Sequence, residues 1–579
     1  MPTSPTPRRR ALRASFVRLI AAAGVLGLTA CTSATPTPTP TTTTAPASSE
    51  APEVDGDPTQ ATFTFGTAAN PTGLDPALVA DTESYRITRQ ILEGLVGIDP
   101  LTSEPAPLLA TSWEERDDGR AYAFELRNDV VFHDGEPFNA EAVCANFERW
   151  HTMPAGTREL DATISFQSVF KAFSDEPEDS VYESCQPLGE YEVLISLTGR
   201  HTTFIPALAL PAFGMASPKA LEEKGANELT VERDGRRLSE FALSPVGTGP
   251  FRFESWSGDE VTLSAFEDYW GNPGEIQIVT FRTIPHTDAR LRALISGEID
   301  GYDLVTVDNA AELAREGQQI LQRDPYSVLY LGMNQDFPGV DDILFRQAVA
   351  HAVDKNALIE NLFLEGTSPA NQFIPPKLGL PVEDVATYEY DPELARELLG
   401  ESGYTGEPLP FHYPRNVSRP YLSSPEKVYA ELSRQLTEAG FNLQPMPTEW
   451  SEGYVETVQN TDNRAFHLLG WSGSYQDPDN FVGALFGSYS EEFAYRDNQL
   501  FSKIARAVTL PNGEERTAAY QDISQSIADD IPALPLAFPV SAAVVSPRVL
   551  SYPVSPVMHE VFNNIDLADV ELPTPDDDV

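Results

Sequence analysis

Arg419, which is followed by Pro420 and Tyr421, is the side chain in this sequence best suited to hold an anion. A guanidinium presents a planar fork of N–H donors that matches the two oxygens of a carboxylate. The alternative is a surface arginine that pairs with Glu426 or with water, because most arginines are exposed. The residue types alone leave both interpretations open.

Aromatic residues accompany this arginine and recur in a second segment. Tyr421, Trp471 and Tyr475 each combine an apolar ring with a polar tip, which suits the wall of a ligand pocket. Core packing is the alternative for Trp471, since buried tryptophan is common. Asp477 and Asp479 flank a proline, and we interpret both as turn residues.

Signals of catalysis or metal binding are poor. The sequence has no Gly-x-Ser-x-Gly, no His-Glu-x-x-His and no phosphate-binding P-loop motif. Its eight histidines are scattered singly, and we expect His133 to be structural. The sequence therefore predicts no enzyme, no cofactor and no metal site. A secreted hydrolase stays the rival from another class, and a catalytic Ser–His or paired-carboxylate cluster would favour it.

The first thirty residues are typical of an export signal. Five arginines lie between Arg8 and Arg18, and an apolar run follows from Leu19 to Leu28. This run is too short for a membrane-spanning helix, which needs about 20 residues. The next residues, Leu28-Thr29-Ala30-Cys31, resemble the lipobox of bacterial lipoproteins, which implies cleavage before Cys31 and lipidation of its thiol. Ordinary secretion with an incidental cysteine is the alternative.

Residues 32–49 are almost wholly Thr, Pro, Ser and Ala. Such a segment buries too little apolar surface to fold, and its prolines favour an extended chain. We predict a stalk over 31–59 that holds a globular body above a membrane. A disordered tail with no spacing role is the alternative.

Cys144 and Cys185 are the cysteines that follow Cys31. In an exported protein, two cysteines are expected to form a disulfide. Two free buried thiols are the alternative.

The chain is strongly acidic, with 39 Lys+Arg against 87 Asp+Glu and a net charge of −48. Such a charge opposes binding to nucleic acid and to anionic lipid surfaces. The 579 residues allow two or three domains.

Strand and helix signals alternate along the body, which predicts a mixed α/β fold. Alternating apolar residues predict strands at 61–65, 121–126, 192–197 and 326–334. Helices are predicted after Thr287 or Asp288, over 343–363 with Asp354 as the cap of a second helix, and from Asp391-Pro392 to before Gly403.

An ordered set of motifs then resembles the peptide/nickel-type (family 5) solute-binding proteins of ABC importers. The motifs are Leu108-Leu-Ala-Thr-Ser-Trp113, Tyr122-Ala-Phe-Glu-Leu-Arg127, Val131-Phe-His-Asp-Gly-Glu-Pro-Phe138, Pro245-Val-Gly-Thr-Gly-Pro-Phe251, Tyr269-Trp270-Gly271, Leu294-Ile-Ser-Gly-Glu-Ile-Asp300, Arg346 to Lys355, Arg419-Pro420-Tyr421, Gly470-Trp471-Ser472, Asp477-Pro-Asp-Asn-Phe481 and Ile531-Pro-Ala-Leu-Pro535. They extend over about residues 60–570.

The resemblance implies a two-lobed periplasmic-binding-protein-like fold, the large peptide-binding variant of type II, with an inserted subdomain. The predicted divisions are the signal peptide 1–30, the stalk 31–59, lobe I over 60–104, 206–323 and 537–579, the inserted subdomain 105–205, and lobe II over 324–536. We expect the chain to cross between lobes near Asp324 and Leu536.

The resemblance also implies ligand roles. In dipeptide-binding relatives the arginine matched by Arg419 holds the ligand carboxylate, and the loop matched by Asp81, Glu83 and Tyr85 touches ligand. A helix start capped by Thr82 or Ser84 is the alternative for that loop.

Relatives usually carry an amine-binding aspartate where this chain has Ser474. A hydroxyl does not neutralise a cation, so either Asp81, Glu83 or Asp477 supplies the charge or the ligand has no free α-amine there.

We expect a monomeric, membrane-anchored lipoprotein that captures a peptide-like solute and delivers it to an ABC permease. Its site residues are expected to be Arg419, Tyr421, Trp471, Ser474, Tyr475, Asp477, Asp81, Glu83 and Tyr85. An oligosaccharide or a metal chelate is the alternative cargo.

Overall fold

Three large sheets, three two-stranded sheets and their packed helices build the part of the chain that the computed structural model describes, which is 61–158, 162–380 and 385–568. The predicted signal peptide, Cys31 and the stalk lie outside the described residues. No helix among the described residues is both long and apolar enough to cross a membrane.

The strands are β1 (Thr62–Thr67), β2 (Val96–Ile98), β3 (Pro105–Pro107), β4 (Ala110–Arg116), β5 (Ala121–Leu126), β6 (Tyr182–Gly189), β7 (Glu192–Leu197), β8 (Val231–Arg233), β9 (Arg236–Leu238), β10 (Phe251–Ser257), β11 (Glu260–Ala265), β12 (Ile278–Thr283), β13 (Gly301–Asp303), β14 (Gln319–Arg323), β15 (Ser327–Met333), β16 (Ser368–Pro369), β17 (Leu409–Arg415), β18 (Leu443–Glu449), β19 (Phe466–Ser472), β20 (Ala533–Phe538), β21 (Ser541–Val545), β22 (Val549–Ser551) and β23 (Asp566–Leu567).

The α-helices are α1 (Thr82–Ile91), α2 (Ala140–His151), α3 (Ile164–Phe170), α4 (Phe204–Ala207), α5 (Pro218–Glu223), α6 (Glu240–Leu243), α7 (Thr287–Ser296), α8 (Val307–Arg315), α9 (Ile343–Ala352), α10 (Lys355–Leu362), α11 (Pro392–Glu401), α12 (Pro425–Glu438), α13 (Tyr454–Asn460), α14 (Asp479–Phe486), α15 (Asn498–Thr509) and α16 (Glu514–Asp530). Short 3₁₀ turns lie at Pro76–Leu78, Asp117–Gly119, Pro211–Phe213, Pro376–Leu378, Trp450–Glu452 and Phe562–Asn564.

A seven-stranded mixed sheet has the order β10-β11-β12-β1-β13-β21-β14, and β1 runs parallel to both of its neighbours. A four-stranded antiparallel sheet, β4-β5-β7-β6, is formed by an early segment of the chain. A six-stranded sheet has the order β16-β20-β15-β19-β17-β18. The four predicted strands, 61–65, 121–126, 192–197 and 326–334, are confirmed as β1, β5, β7 and β15.

Lobe I denotes here the segments around the seven-stranded and four-stranded sheets, and lobe II denotes 327–538 around the six-stranded sheet. The chain passes from β14 to β15 through three residues and returns from β20 to β21 through Pro539 and Val540. Residues 537 and 538, which the sequence analysis assigned to lobe I, pair in the six-stranded sheet.

Helix starts show how local chemistry specifies these elements. Asp391 and Asp354 cap α11 and α10 as predicted, each accepting backbone N–H groups of the first turn. The predicted cap of α7 is wrong, because His286 occupies that position without a side-chain cap bond. The helix ends at Gly297 with a φ of 77°, which a glycine adopts at low cost.

The predicted disulfide is confirmed. Cys144 lies on α2 and Cys185 on β6, and the sulfurs are bonded with their Cα atoms 5.3 Å apart. The bond joins this helix to the four-stranded sheet.

Buried charges fix the first crossing between the lobes. Arg323, the last residue of β14, places its guanidinium nitrogens 2.6 Å from Asp303 and 2.6 Å from Glu560. Arg86 of α1 lies 2.5 Å from the other oxygen of Asp303. These two cations hold the pKa of the Asp303 carboxyl well below its usual range despite the opposing effect of burial.

Candidate ligand site between the lobes

A cavity of about 270 Å³ lies where the two lobes meet the returning chain. Its wall is formed by Leu304 and Val305 of lobe I, by Phe363, Leu364, Arg419, Pro420 and Ser423 of lobe II, and by Pro539, Val540 and Ser541 of the crossing. Arg419 is the charged residue of this wall among the residues that the structure describes. The cavity therefore combines apolar surface with one cation.

A tight turn holds Arg419 at this wall. The backbone N–H groups of Arg419 and Leu422 donate to each other's carbonyls at 2.9 Å, with Pro420 at the position where a turn favours proline. The guanidinium carbon lies 4.1 Å from the centre of the Trp450 ring, and such stacking orients a planar cation. Its Nε is buried without a hydrogen-bond partner in the described ranges.

The alternative pairing of Arg419 with Glu426 is not observed. Glu426 accepts instead from the backbone N–H of Asn416, at 3.2 Å. The guanidinium thus keeps donors for another group, and its contact with a ligand stays a prediction.

Tyr421 is a packing residue in this structure. It is buried in the apolar core of lobe II, and a Cβ added at Gly470 would lie 2.4 Å from its ring. Burial raises the pKa of its hydroxyl to about 12. Because the Tyr421 ring lies so close to Gly470, a side chain at position 470 would clash with it. The contact also places the turn of Arg419 beside β19, the strand that contains Trp471.

Asn480 organises the segment that follows β19. Its backbone oxygen accepts from Trp471 Nε1 at 2.5 Å, and its side-chain oxygen accepts from the backbone N–H of Ser474 at 2.7 Å. Trp471 and Ser474 are both half-buried. Trp471 packs against the core of lobe II, which agrees with core packing, the alternative interpretation of this residue.

Asp477 is buried and engaged by Arg516, whose Nη2 lies 2.8 Å from its Oδ1. The same oxygen accepts from the backbone N–H of Asp479, as in a turn. Asp479 itself begins α14, so the prediction of a turn residue is wrong there. Burial, with Asp477 nearby, raises the pKa of Asp479 to about 7.

The lobe I loop predicted to touch ligand is a helix start. Asp81 caps α1, accepting from the backbone N–H of Ser84 at 2.8 Å, from its hydroxyl at 2.6 Å and from the hydroxyl of Thr72. The alternative of a capped helix start is therefore confirmed, but the cap is Asp81 and not Thr82 or Ser84. Because Asp81 begins the helix, its carboxylate is already committed to stabilising that helix.

Glu83 and Tyr85 also have internal partners. A carboxylate oxygen of Glu83 accepts from the backbone N–H of Ala68 at 3.2 Å, and the other lies 3.3 Å from Arg86. The Tyr85 hydroxyl donates to the carbonyl of Val79 at 2.6 Å. Neither residue, nor Asp81, lines the cavity around Arg419 in the part of the chain that is described.

The two lobes touch at a rim away from the crossings. Thr202 of lobe I donates its N–H to Val508 O at 3.0 Å and its hydroxyl to Leu510 O at 2.6 Å. Tyr475 of lobe II packs into the apolar cluster of the four-stranded sheet. At a second point, Lys427 lies 2.6 Å from Asp308. The structure is therefore a closed arrangement of the lobes.

His201 lies at the same rim and is 7% exposed. Burial, together with the positive charges of Lys171 and Arg516, lowers the pKa of its imidazole to about 3. Because Arg516 belongs to lobe II, part of this shift arises across the interface.

Sequence reasoning missed several of these residues. Trp450 and Arg516 position Arg419 and Asp477 from distant points of the chain, and Asn480 holds Ser474 from within the same segment. Leu304 has a φ of 62°, which is rare for leucine and places it at the cavity wall. Asn480 lies within the motif Asp477-Pro-Asp-Asn-Phe481, whereas no sequence signal pointed to Trp450, Arg516 or Leu304. Among the described residues, no group of His, Cys, Asp and Glu could hold a metal ion.

Comparisons with known proteins identify what the chain is similar to. Residues 104–493 match the family model described as bacterial extracellular solute-binding proteins, family 5 middle. Heme-binding protein A of Haemophilus influenzae is 28% identical over 527 residues, which cover 87% of this chain and 92% of that protein. The dipeptide-binding protein of Escherichia coli is 26% identical, with coverages of 87% and 94%.

A solved structure shows the same architecture. The periplasmic binding protein DppA of Helicobacter pylori, in complex with the peptide STSA, superposes with a TM-score of 0.75 at 25% identity, covering 88% of this chain and 98% of that one.

Proposed function

Because the chain belongs to family 5 of the bacterial extracellular solute-binding proteins, we propose that it captures a peptide-like solute between its lobes and delivers it to an ABC permease. The Helicobacter pylori relative holds a peptide and is associated with an ABC transporter. The family consists of binding proteins, and we propose that this chain performs no catalysis.

The observation that carries this proposal is the state of Arg419. It lines the interlobe cavity, it is oriented by Trp450, and its Nε has no partner among the described residues. A buried donor without a partner costs free energy, and a ligand carboxylate would remove that cost. We propose that Arg419 binds the carboxylate of the solute.

We further propose that the solute has no free α-amine beside Ser474. The three carboxylates that could replace the missing aspartate are committed: Asp81 caps α1, Glu83 faces Arg86, and Asp477 faces Arg516. An ammonium buried without a counter-charge costs several kcal/mol. A blocked or distant amine avoids that cost.

Mass spectrometry of ligand retained after native purification tests the solute class. Calorimetry then compares N-acetyl-alanyl-leucine with free alanyl-leucine. We expect tighter binding of the acetylated peptide, with a higher melting temperature and a smaller radius of gyration on saturation. A retained oligosaccharide or metal chelate, or a preference for the free peptide, would contradict the proposal.

We propose that Cys31 anchors a monomeric protein on the extracytoplasmic face of the membrane. The support is the Leu-Thr-Ala-Cys segment after an arginine-rich leader. Cys31→Ala should leave an uncleaved or released protein, because stable anchoring needs two acyl chains or an equivalent second signal. Normal membrane retention of a processed Cys31→Ala protein would contradict the anchor.

A further inference from the structure

A second cavity, of about 420 Å³, lies wholly within lobe II. It is enclosed by the start of α10, the segment after β16, helix α16 and strand β20. Most of its wall is apolar, with Phe373, Ile527 and Leu534 among the buried residues. It shares no lining residue with the interlobe cavity among the residues described.

A cation faces this second cavity. The ammonium of Lys355 donates to Ala370 O at 2.7 Å and to Asn371 Oδ1 at 3.3 Å. An ammonium has three N–H donors, so these bonds leave one for another group. Lys355 forms no ion pair within the described ranges, although a buried charge is normally paired. Burial lowers the pKa of Lys355 to about 8, although the negative charge of Glu389 partly opposes this shift.

Two further polar atoms of the wall lack partners. Ser524 is 4% exposed and its hydroxyl forms no hydrogen bond in the described structure. The side-chain oxygen of Gln372 is likewise buried and without a partner there. Each such atom costs free energy unless a bound molecule pairs with it. The cavity thus offers a cation, a hydroxyl and an acceptor beside an apolar wall.

We propose that this cavity binds a small amphipathic carboxylate that carries a hydrogen-bond donor next to its carboxyl group. The carboxylate accepts from Lys355 Nζ and from the hydroxyl of Ser524. The ligand's own O–H or N–H donates to Gln372, and its apolar tail lies against the wall near Ile527 and Leu534. This site is separate from the interlobe site and does not depend on the function proposed there.

Calorimetry with 2-hydroxy-4-methylpentanoate tests the site, with the alcohol 4-methylpentane-1,2-diol as the uncharged probe that keeps the 2-hydroxyl. We expect one equivalent of the acid to bind and the alcohol to bind at least about tenfold more weakly, because the bond to the charged lysine is lost. No binding of the acid at millimolar concentration, or equal binding of the alcohol, would overturn the proposal.

Variants separate this site from non-specific binding. Lys355→Met should weaken binding by about tenfold or more and Ser524→Ala by about two- to tenfold. Ala528→Phe should abolish binding, because Ala528 lines the cavity and the ring would fill it. Ser526→Ala is the matched control, since that serine on the same helix bonds to Asp522 O and does not line the cavity.

Melting curves establish which variants fold. If Lys355→Met is unfolded, the proposal is tested by the affinities of the other three variants, Ser524→Ala, Ser526→Ala and Ala528→Phe. Binding that survives Ala528→Phe, or that Ser526→Ala weakens as much as Ser524→Ala, would overturn the proposal. Binding that Arg419→Ala abolishes would assign the acid to the interlobe cavity and overturn it as well.

Discussion

Replacing Arg419 by alanine tests the ligand site most directly. Losing one partner of a buried charge pair costs about 2–5 kcal/mol in binding. Arg419 is half-buried, so water screens part of the interaction and we expect the lower end of that range. A loss of about 2–3 kcal/mol corresponds to about a 30- to 150-fold weaker affinity.

Variants at Arg419 and at nearby residues separate the contributions of charge and of ring stacking to this loss of affinity. Arg419→Lys keeps the charge but loses the planar fork and the stacking, so its affinity should lie between those of Arg419→Ala and the wild type. Trp450→Leu removes only the stacking at 4.1 Å and should cost about two- to fivefold. Arg415→Ala is the matched control, because Arg415 is 48% exposed and pairs with Glu449 at the surface.

Calorimetry with N-acetyl-alanyl-leucine measures all four variants, and their melting temperatures show whether each folds. An Arg419→Ala protein that folds normally and binds within twofold of the wild type would refute the role of Arg419. An equal loss in Arg415→Ala would show that the effect is one of general surface charge.

Three further outcomes are expected. Ser474→Asp should shift preference toward free alanyl-leucine, because it restores a counter-charge for an amine, and an unchanged ratio of the two affinities would contradict this. The affinity should fall about fivefold from pH 6.5 to 5.5, because closure keeps His201 neutral with a pKa of about 3 while an exposed imidazole titrates near 6.5. Affinity is lost as the pH falls below the pKa that the His201 imidazole has in the open state. Calorimetry on His201→Asn should give a flatter pH profile of affinity. A slope equal to that of the wild type would assign the effect to other groups. Replacing both Cys144 and Cys185 by alanine should lower the free energy of unfolding by about 4 kcal/mol for the loop that they close, measured by denaturant titration, and an unchanged midpoint would contradict this.

Local chemistry made several elements predictable. The alternation at 121–126 and 192–197 needs only the period of a strand, and both strands have those bounds. Asp354 and Asp391 bond to N–H groups within three residues, so the sequence contains both partners of each cap. The caps of α1 and α7 were wrong because several polar residues stand in a row. The choice of Asp81 involves Thr72, nine residues away.

The sequence by itself determined four strands, the starts of α9, α10 and α11, the disulfide partners and the family. Each of these depends on near neighbours, on a count of cysteines or on an ordered set of motifs. Only the tertiary structure decided which charged side chains are already paired within the protein. Asp477 is held by Arg516, 39 residues away, and Arg419 is oriented by Trp450, 31 residues away. Such contacts follow from how strands and helices pack, and no local pattern encodes them. The same holds for Lys355 and Ser524, which a cavity brings together from opposite ends of lobe II.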